Sequence, residues 1–154
     1  MQNQRLVFLQ ETFFERISTV EPDRTPAWGK MNLQQMIEHL SDSVRMANGV
    51  SPHAEILTPA DRLQAVRDFL YSEKEFRPET RNALMGDVPP PVRQASLDLS
   101  MQELREELDR FVRRFDAKPS HTERNPFFGD LDAEGWQRLF YKHFMHHLKQ
   151  FRAD

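Results

Sequence analysis

The sequence predicts an all-α protein: a four-helix bundle with an additional short helix and a long proline-rich crossover. Apolar residues recur with helical periodicity in five segments, four of them long. Strand signals are poor, because Val and Ile are sparse and alternation of apolar and polar residues never lasts. A chain of 154 residues has the usual size of one domain, so we expect a single helical-bundle domain over residues 1–154.

The first predicted helix covers residues 4–19, and Pro22 and Pro26 mark the loop that follows it. The second predicted helix starts after Asn32, a favourable N-cap that Gln35 completes as a capping box. The pair Asn48-Gly49 is typical of a helix end, so we expect the second helix to end there. The apolar residues of the first helix recur at spacings of three or four and form one stripe: Leu6, Leu9, Phe13, Ile17 and Val20.

A third, shorter helix is predicted to open at Thr58-Pro59, with Thr as the N-cap and Pro in the first turn. Residues 77–96 form the least regular segment, and Gly86 and the three prolines at 89–91 indicate an extended crossover. The apolar side of the third helix consists of Leu63, Val66, Phe69 and Leu70.

The next helix is predicted from a capping box formed by Ser100 and Glu103. A loop containing Asn-Pro-Phe-Phe-Gly (125–129) then leads to the final helix, which is capped at Asp132 and runs to about Phe151. The apolar stripe of the helix that follows Ser100 consists of Met101, Leu104, Leu108, Phe111, Val112 and Phe115.

Composition excludes several classes of protein. The formal net charge is −3 and basic residues alternate with acidic ones, as in ELREELDRFVRR, so we expect no nucleic-acid partner. No apolar run approaches the roughly 20 residues of a membrane span, and Gln, Glu and Arg interrupt the N-terminal apolar residues. We therefore expect no membrane partner, no secretion signal and a cytoplasmic location. Cys is absent, which removes disulfides, zinc-thiolate sites and a Cys nucleophile.

The residues most able to carry chemistry lie in the last helix, where His143 and His147 are one turn apart. On a helical wheel they share a face with three aromatic residues: Trp136, Phe140 and Phe151. His146 lies at the margin of this face. The basic residues occupy the opposite side of the helix: Arg138, Lys142, Lys149 and Arg152.

Two imidazoles on a core-facing surface need polar partners, because an unpartnered buried polar group costs about 1–3 kcal/mol. A metal ion would satisfy both, since two ring nitrogens at i,i+4 spacing can converge on it. The alternative is a pair of core histidines bonded to other side chains or to carbonyls. His39, at the edge of the apolar face of the second helix, is the best candidate for a third ligand. The alternative for His39 is a partly exposed boundary residue.

Three histidines without a carboxylate describe an open site, since catalytic metal sites keep one position for water or substrate. Imidazole suits zinc, nickel, copper and iron, so metal identity stays open. Three polar side chains are candidates to orient the rings or touch a substrate, although each also suits an ordinary helix surface: Gln35, His146 and Gln150. His53 and His121 lie in predicted loops, where each could be a fourth ligand, a lid residue or a solvent-exposed histidine.

This pattern, one histidine in the second helix and two histidines four residues apart in the last, resembles the DinB/YfiT superfamily of metal-binding proteins. The resemblance is closest to a branch whose activity is not assigned. It spans nearly the whole chain, since it is carried by WGKM (28–31), MIEHL (36–40), PFFG (126–129) and KHFMHHLKQF (142–151). Close relatives often have His at the position of Asn125, so a role for that position is in doubt while the three histidines match.

The resemblance implies a four-helix bundle, often a homodimer, in which His39, His143 and His147 hold a divalent metal ion, with zinc and nickel as the first candidates. Characterised relatives include transferases and isomerases that use the thiols bacillithiol or mycothiol. An enzyme acting on a small molecule is therefore expected, by thiol transfer or by metal-water hydrolysis, with a low-molecular-weight thiol as one candidate partner. The competing hypothesis is a non-catalytic dimeric helical bundle, an interaction or stress-related protein with an empty or vestigial site.

Overall fold

A computed structural model describes residues 3–80 and 84–154. These residues are mostly helical and include one small antiparallel sheet, which confirms the predicted helical class but adds a sheet that was not predicted. The elements in chain order are α1 (Gln4–Val7), a π-helical segment (Phe8–Thr12), α2 (Phe13–Ile17), α3 (Leu33–Arg45), α4 (Leu63–Leu70), α5 (Leu97–Ala117), β1 (Glu123–Asn125), β2 (Gly129–Leu131) and α6 (Ala133–Gln150).

The first three segments form one continuous helical stretch over residues 4–17, because the backbone stays in the right-handed helical region across both junctions. In the π-helical segment the Phe13 amide bonds to the Phe8 carbonyl five residues back, which brings residues five apart onto one face. Phe8 is consequently buried, although it lies outside the predicted stripe. The stretch ends two residues earlier than predicted because the Ser18 and Thr19 hydroxyls donate to carbonyls of the preceding turn.

Helix α3 begins as predicted. The Asn32 side chain accepts from the Gln35 amide, and the Gln35 side chain accepts from the Asn32 amide, both at 2.8 Å. This reciprocal capping box fixes the orientation in which α3 enters the core. The helix ends at Arg45 rather than at Asn48, because the Asn48 side chain is engaged with α5, where it donates to the Glu107 carboxylate at 2.6 Å.

Helix α4 does not open at Thr58-Pro59, and that prediction was wrong. The Thr58 hydroxyl donates to the Phe127 carbonyl at 2.7 Å, so it ties two loops together instead of capping a helix. A turn in which the Arg62 amide bonds to the Pro59 carbonyl precedes the helix. Of the predicted apolar side only Leu70 is fully buried, and the others are partly buried: Leu63, Val66 and Phe69.

The predicted crossover over residues 77–96 is irregular wherever the structure describes it, and residues 81–83 lie outside the described range. Its second half is fastened to α3 through the Glu38 carboxylate. The Arg93 amide donates to Glu38 at 2.7 Å and the Gln94 amide donates at 3.4 Å. The Glu38 carboxylate thereby supplies hydrogen-bond acceptors to a crossover backbone that has no regular secondary structure.

Helix α5 starts at Leu97, and Ser96 is its N-cap, accepting from the Leu99 amide at 3.2 Å. The predicted capping box of Ser100 and Glu103 was therefore wrong. Ser100 lies inside the helix and is buried, and its hydroxyl donates to Glu38 of α3 at 2.8 Å. The Ser100 side chain thus bonds to a residue of another helix instead of capping α5.

Strands β1 and β2 form an antiparallel hairpin in which Asn125 lies opposite Gly129. The Asn125 side chain accepts from the Phe127 and Phe128 amides at 2.8 and 3.0 Å, so it builds the turn between the strands. Gly129 has a φ of +79°, a left-handed conformation that favours glycine. The loop predicted at 125–129 is therefore the connection of a hairpin that Val- and Ile-based strand signals could not indicate.

Helix α6 begins at its predicted cap, because the Asp132 side chain accepts from the Gly135 amide at 2.9 Å. One residue of its predicted basic side was misplaced. Lys142 is only 9% exposed, since residues after α4 cover it, and its ammonium donates to the Ser72 carbonyl at 2.7 Å and to the Lys74 carbonyl.

The core lies between the 4–17 stretch, α3, α5 and α6. Phe144 of α6 packs against Phe13, with ring centroids 4.8 Å apart, and Phe140 packs against Phe111 of α5 at 5.2 Å. The predicted stripe of the first helix is buried except at Leu6, which is partly buried. Within the described ranges, none of the helices is both long and apolar enough to cross a bilayer.

Candidate metal centre

Helices α3 and α6 bring three histidines together at the edge of the aromatic core. His39 comes from the middle of α3, and His143 and His147 lie one turn apart on α6. His147 is 4% exposed, whereas His39 and His143 are partly exposed. These residues, called the histidine trio below, are the ones that the sequence nominated as metal ligands.

The three rings turn the same atom towards one another. His143 Nε2 lies 3.0 Å from His39 Nε2 and 3.0 Å from His147 Nε2. One ligand nitrogen from each residue lies within 4.8 Å of the other two. Metal–nitrogen bonds of about 2.0–2.1 Å in a tetrahedral site separate ligand nitrogens by about 3.3 Å, so the two 3.0 Å contacts are close to the ligand spacing of a metal site.

Gln150 determines which nitrogen of His147 faces the trio. His147 Nδ1 and Gln150 Oε1 lie 2.7 Å apart, and the amide nitrogen of Gln150 donates to the Trp28 carbonyl at 3.0 Å. Because Gln150 Nε2 is used as a donor, Oε1 is the acceptor and His147 Nδ1 carries the proton. Neutral His147 therefore presents the lone pair of Nε2 to His143.

With this tautomer of His147, hydrogen bonds alone cannot satisfy both Nε2···Nε2 contacts of the trio. A hydrogen on His143 Nε2 can be aimed well at only one neighbour, so one of the two N···N contacts lacks a well-aligned hydrogen bond. A cation can accept lone pairs from all three nitrogens at once. The donor set, three imidazoles without a thiolate or carboxylate, therefore fits a divalent ion such as zinc or nickel.

Burial keeps the trio neutral. It lowers the pKa of His39 to about 4, and positive charge on His146 acts in the same direction. Burial likewise holds the pKa values of His143 and His147 well below 6.5, and charge on the neighbouring histidines adds to this effect. At neutral pH a metal ion would not have to displace protons from these ligands.

His146 lies beside the trio and not within it. Its ring is 5.0 Å from the His147 ring, and it lies between Trp28 at 5.3 Å and Phe76 at 6.1 Å. Phe76 also contacts His143, with ring centroids 6.4 Å apart. Trp28, Phe76 and His146 thus form an aromatic wall next to the trio.

The other polar residues singled out from the sequence lie elsewhere. Gln35 uses its oxygen in the α3 capping box and its nitrogen to donate to the Pro90 carbonyl, which joins α3 to the crossover. His53 contacts the Glu55 carbonyl in its own loop at 2.9 Å. His121 pairs with Glu123 at 2.6 Å beside the hairpin.

Two neighbours of the trio were not identified as site residues. Trp28 belongs to the WGKM segment, so its motif was noticed but its place beside His146 was not. Phe76 stands in an irregular stretch between α4 and the crossover, where no periodicity assigns a face. Its position depends on how that stretch folds over α6, which is tertiary information.

Comparison with known proteins adds one match. Residues 9–151 match the model of the DinB superfamily, and these residues include all of the trio and most of the chain. No curated protein and no solved structure matches the chain significantly.

Proposed function

The chain belongs to the DinB superfamily, and from this premise we propose that it is a metal-dependent enzyme acting on a small molecule. His39, His143 and His147 would hold one divalent ion, zinc or nickel. The observation that carries the proposal is the convergence of three neutral Nε2 atoms, one of them oriented by Gln150. Superfamily members are often metal-binding, which supports the same assignment.

A bound divalent ion would supply Lewis acidity, which lowers the pKa of a coordinated water or thiol to near neutrality. The chain has no Cys, so a thiol nucleophile would have to come from a low-molecular-weight cosubstrate. Three protein ligands leave room for that cosubstrate or for water. The reaction proposed is thus thiol transfer or hydrolysis.

Other residues around the trio would orient its ligands, limit the access of water and contact the substrate. Gln150 orients His147, and the Gln150–Trp28 bond holds the loop before α3 against the end of α6. The aromatic wall would limit the access of water to one side of the trio, which would strengthen electrostatic interactions inside the site. His146, a partly exposed member of this wall, would be placed to touch a substrate.

The arrangement of the helices is also part of the proposal. We further propose that the 4–17 stretch, α3, α5 and α6 form a four-helix bundle in a single domain over residues 1–154, because these segments share one core. The homodimer and the cytoplasmic location expected from the sequence stay predictions.

Metal analysis of protein purified without a histidine tag tests the proposal. We expect about one equivalent of zinc or nickel per chain, and loss of that metal in His39→Ala and in His147→Ala. His53→Ala is the matched control, because the His53 ring bonds to the Glu55 carbonyl of its own loop and is not part of the trio.

The second readout is thermal unfolding with and without chelator. A ligand that binds only the folded state raises the melting temperature by mass action, so chelator should lower it in the wild type and leave His147→Ala unchanged. Absence of stoichiometric metal together with an unresponsive melting curve would refute the enzyme proposal and favour a non-catalytic bundle with a vestigial site.

A further inference from the structure

A groove of about 670 Å³ lies between α1, α6 and the residues that follow α4. It shares a wall with the trio, because Phe76 and His146 line the groove and both contact rings of the trio. A volume of this size holds a small organic molecule. This cavity is called the α1–α6 groove below.

The α1–α6 groove is positively charged in a chain whose formal net charge is −3. Two acidic side chains line it, Glu73 and Glu75, against five basic ones: Arg5, Lys74, Arg138, Lys142 and Lys149. Two of these cations are paired, because Lys149 contacts Glu75 and Arg138 contacts Glu134. Within the described ranges, the other three have no carboxylate at ion-pair distance.

Among these cations, Lys142 gives the strongest indication of an anionic ligand. It is 9% exposed, and its ammonium is held by two neutral carbonyl oxygens, those of Ser72 and Lys74. Carbonyl oxygens provide hydrogen bonds but do not neutralise the charge, and the two carboxylates that line the same groove, Glu73 and Glu75, lie beyond ion-pair distance of it, so an anionic ligand would add to its stabilisation.

The remaining lining of the α1–α6 groove is about half apolar, with five apolar residues and four polar ones. It includes the rings of Phe8 and Tyr141, which pack edge to face with centroids 4.8 Å apart, and the side chains of Leu70 and Met145. A fully hydrated inorganic ion would leave the exposed part of this surface, chiefly the Tyr141 ring, without a partner. A molecule with an apolar body and one anionic group would match both parts of the lining.

We propose that the α1–α6 groove binds an organic anion, a molecule with an apolar body and a carboxylate or phosphate group, and holds it against the Phe76–His146 wall of the trio. Arg5, Lys74 and Lys142 would receive the anionic group. Identifying this ligand as the substrate rests on the function proposed above, whereas binding in the groove does not require a metal.

The test is an NMR titration of full-length protein with 3-phenylpropionate, phenyl phosphate and the neutral amide 3-phenylpropanamide. At least one anion should bind about tenfold more tightly than the amide, as expected for a charge-assisted contact. The largest shifts should fall on the ring signals of Phe76 and His146. Preference for the carboxylate or for the phosphate supports the proposal equally and identifies the anionic group.

The double variant Arg5→Gln/Lys74→Gln should lose most of this preference while amide binding stays unchanged. Lys118→Gln, an exposed lysine at the end of α5, is the matched control. Both altered residues are outside the core, and the circular dichroism spectrum should confirm that the variant folds. Equal binding of anion and amide, no binding of either, or an unchanged preference in the double variant would overturn the proposal.

Metal content measured on the same samples separates the two proposals. Anion binding in protein that holds no metal would leave the groove assignment standing and refute the metal-dependent function. Stoichiometric metal with no anion preference would refute the groove assignment and leave the metal-dependent function standing. Since Arg5→Gln/Lys74→Gln leaves the trio intact, its metal content should equal that of the wild type.

Discussion

Gln150 and His147, three residues apart on α6, form a buried hydrogen bond of 2.7 Å between Oε1 and Nδ1. The other end of the same amide holds the Trp28 carbonyl. Both polar atoms of one side chain are therefore committed, which excludes the flipped amide and fixes the tautomer of His147. A glutamine at this position links the orientation of a candidate ligand to the loop that precedes α3.

Gln150→Leu should weaken metal binding by about 10- to 100-fold, the usual cost of losing a hydrogen-bond partner of a ligating histidine. Gln150→Glu should lose less, because a carboxylate oxygen still accepts from His147 Nδ1. Competition with a chromogenic chelator measures the metal affinity. Gln102→Leu, on the exposed face of α5, is the control for replacing a helical glutamine. Wild-type affinity in Gln150→Leu would show that the bond does not act on the metal.

The metal-free protein should become less stable as the pH falls below 6.5. The pKa of His39 is about 4 in the folded state, against an ordinary value of 6.5, so between these limits the unfolded chain binds a proton that the folded chain does not. The free energy of unfolding therefore decreases with falling pH in this window, by about 3 kcal/mol for His39 alone. Above pH 6.5 this effect vanishes.

Urea unfolding in the presence of chelator at pH 7, 6 and 5 measures this dependence. His39→Gln should show a shallower loss of stability over the same range, since the variant lacks the titrating group. A slope unchanged by His39→Gln would mean that other groups cause the acid sensitivity.

The features that sequence alone could predict are those determined within one helix. The α3 capping box depends on residues three apart, and the alignment of His143 with His147 depends only on helical pitch. The proximity of His39 to that pair was inferred from its position on the face of α3 and from family resemblance, and the structure brings the three together. Their metal binding stays a prediction.

The features that could not be predicted depend on contacts between elements. Ser96 and Ser100 both suit an N-cap, and the choice between them follows from Glu38 of α3, which accepts from Ser100. Lys142 appears on the polar side of a helical wheel because a wheel does not include the residues after α4 that cover it. The wall residue Phe76 depends on the same covering segment.

Glu38 should be a main anchor of the crossover. Its carboxylate is 4% exposed and accepts from the Arg93 and Gln94 amides and from the Ser100 hydroxyl. Burial alone would raise the pKa of Glu38, but these hydrogen bonds lower it overall, so the group is ionised and bonded in the folded state. Glu38→Leu should cost about 2–3 kcal/mol in the free energy of unfolding, because it removes several charge-assisted hydrogen bonds.

Urea unfolding gives that free energy, and limited proteolysis with trypsin reports on the crossover itself, since Arg93 lies within it. We expect faster cleavage there in Glu38→Leu and a smaller effect in Glu38→Gln, which keeps one acceptor oxygen. Glu106→Gln, on the exposed side of α5, controls for loss of a helical carboxylate. Stability and cleavage equal to the wild type in Glu38→Leu would contradict the anchoring role.

Asn125 should act on stability and not on the metal centre. It is 3% exposed, and its side-chain oxygen accepts from the Phe127 and Phe128 amides at the turn of the hairpin. Asn125→Ala should lower the free energy of unfolding by about 1–3 kcal/mol, because two amides lose their acceptor, whereas Asn125→Asp should retain most of it. Metal affinity should be unchanged in both variants, since the hydrogen bonds of this residue stay within the hairpin. A loss of metal in Asn125→Ala at unchanged stability would instead place the hairpin in the metal site. The histidine that close relatives often have at this position would suggest the same.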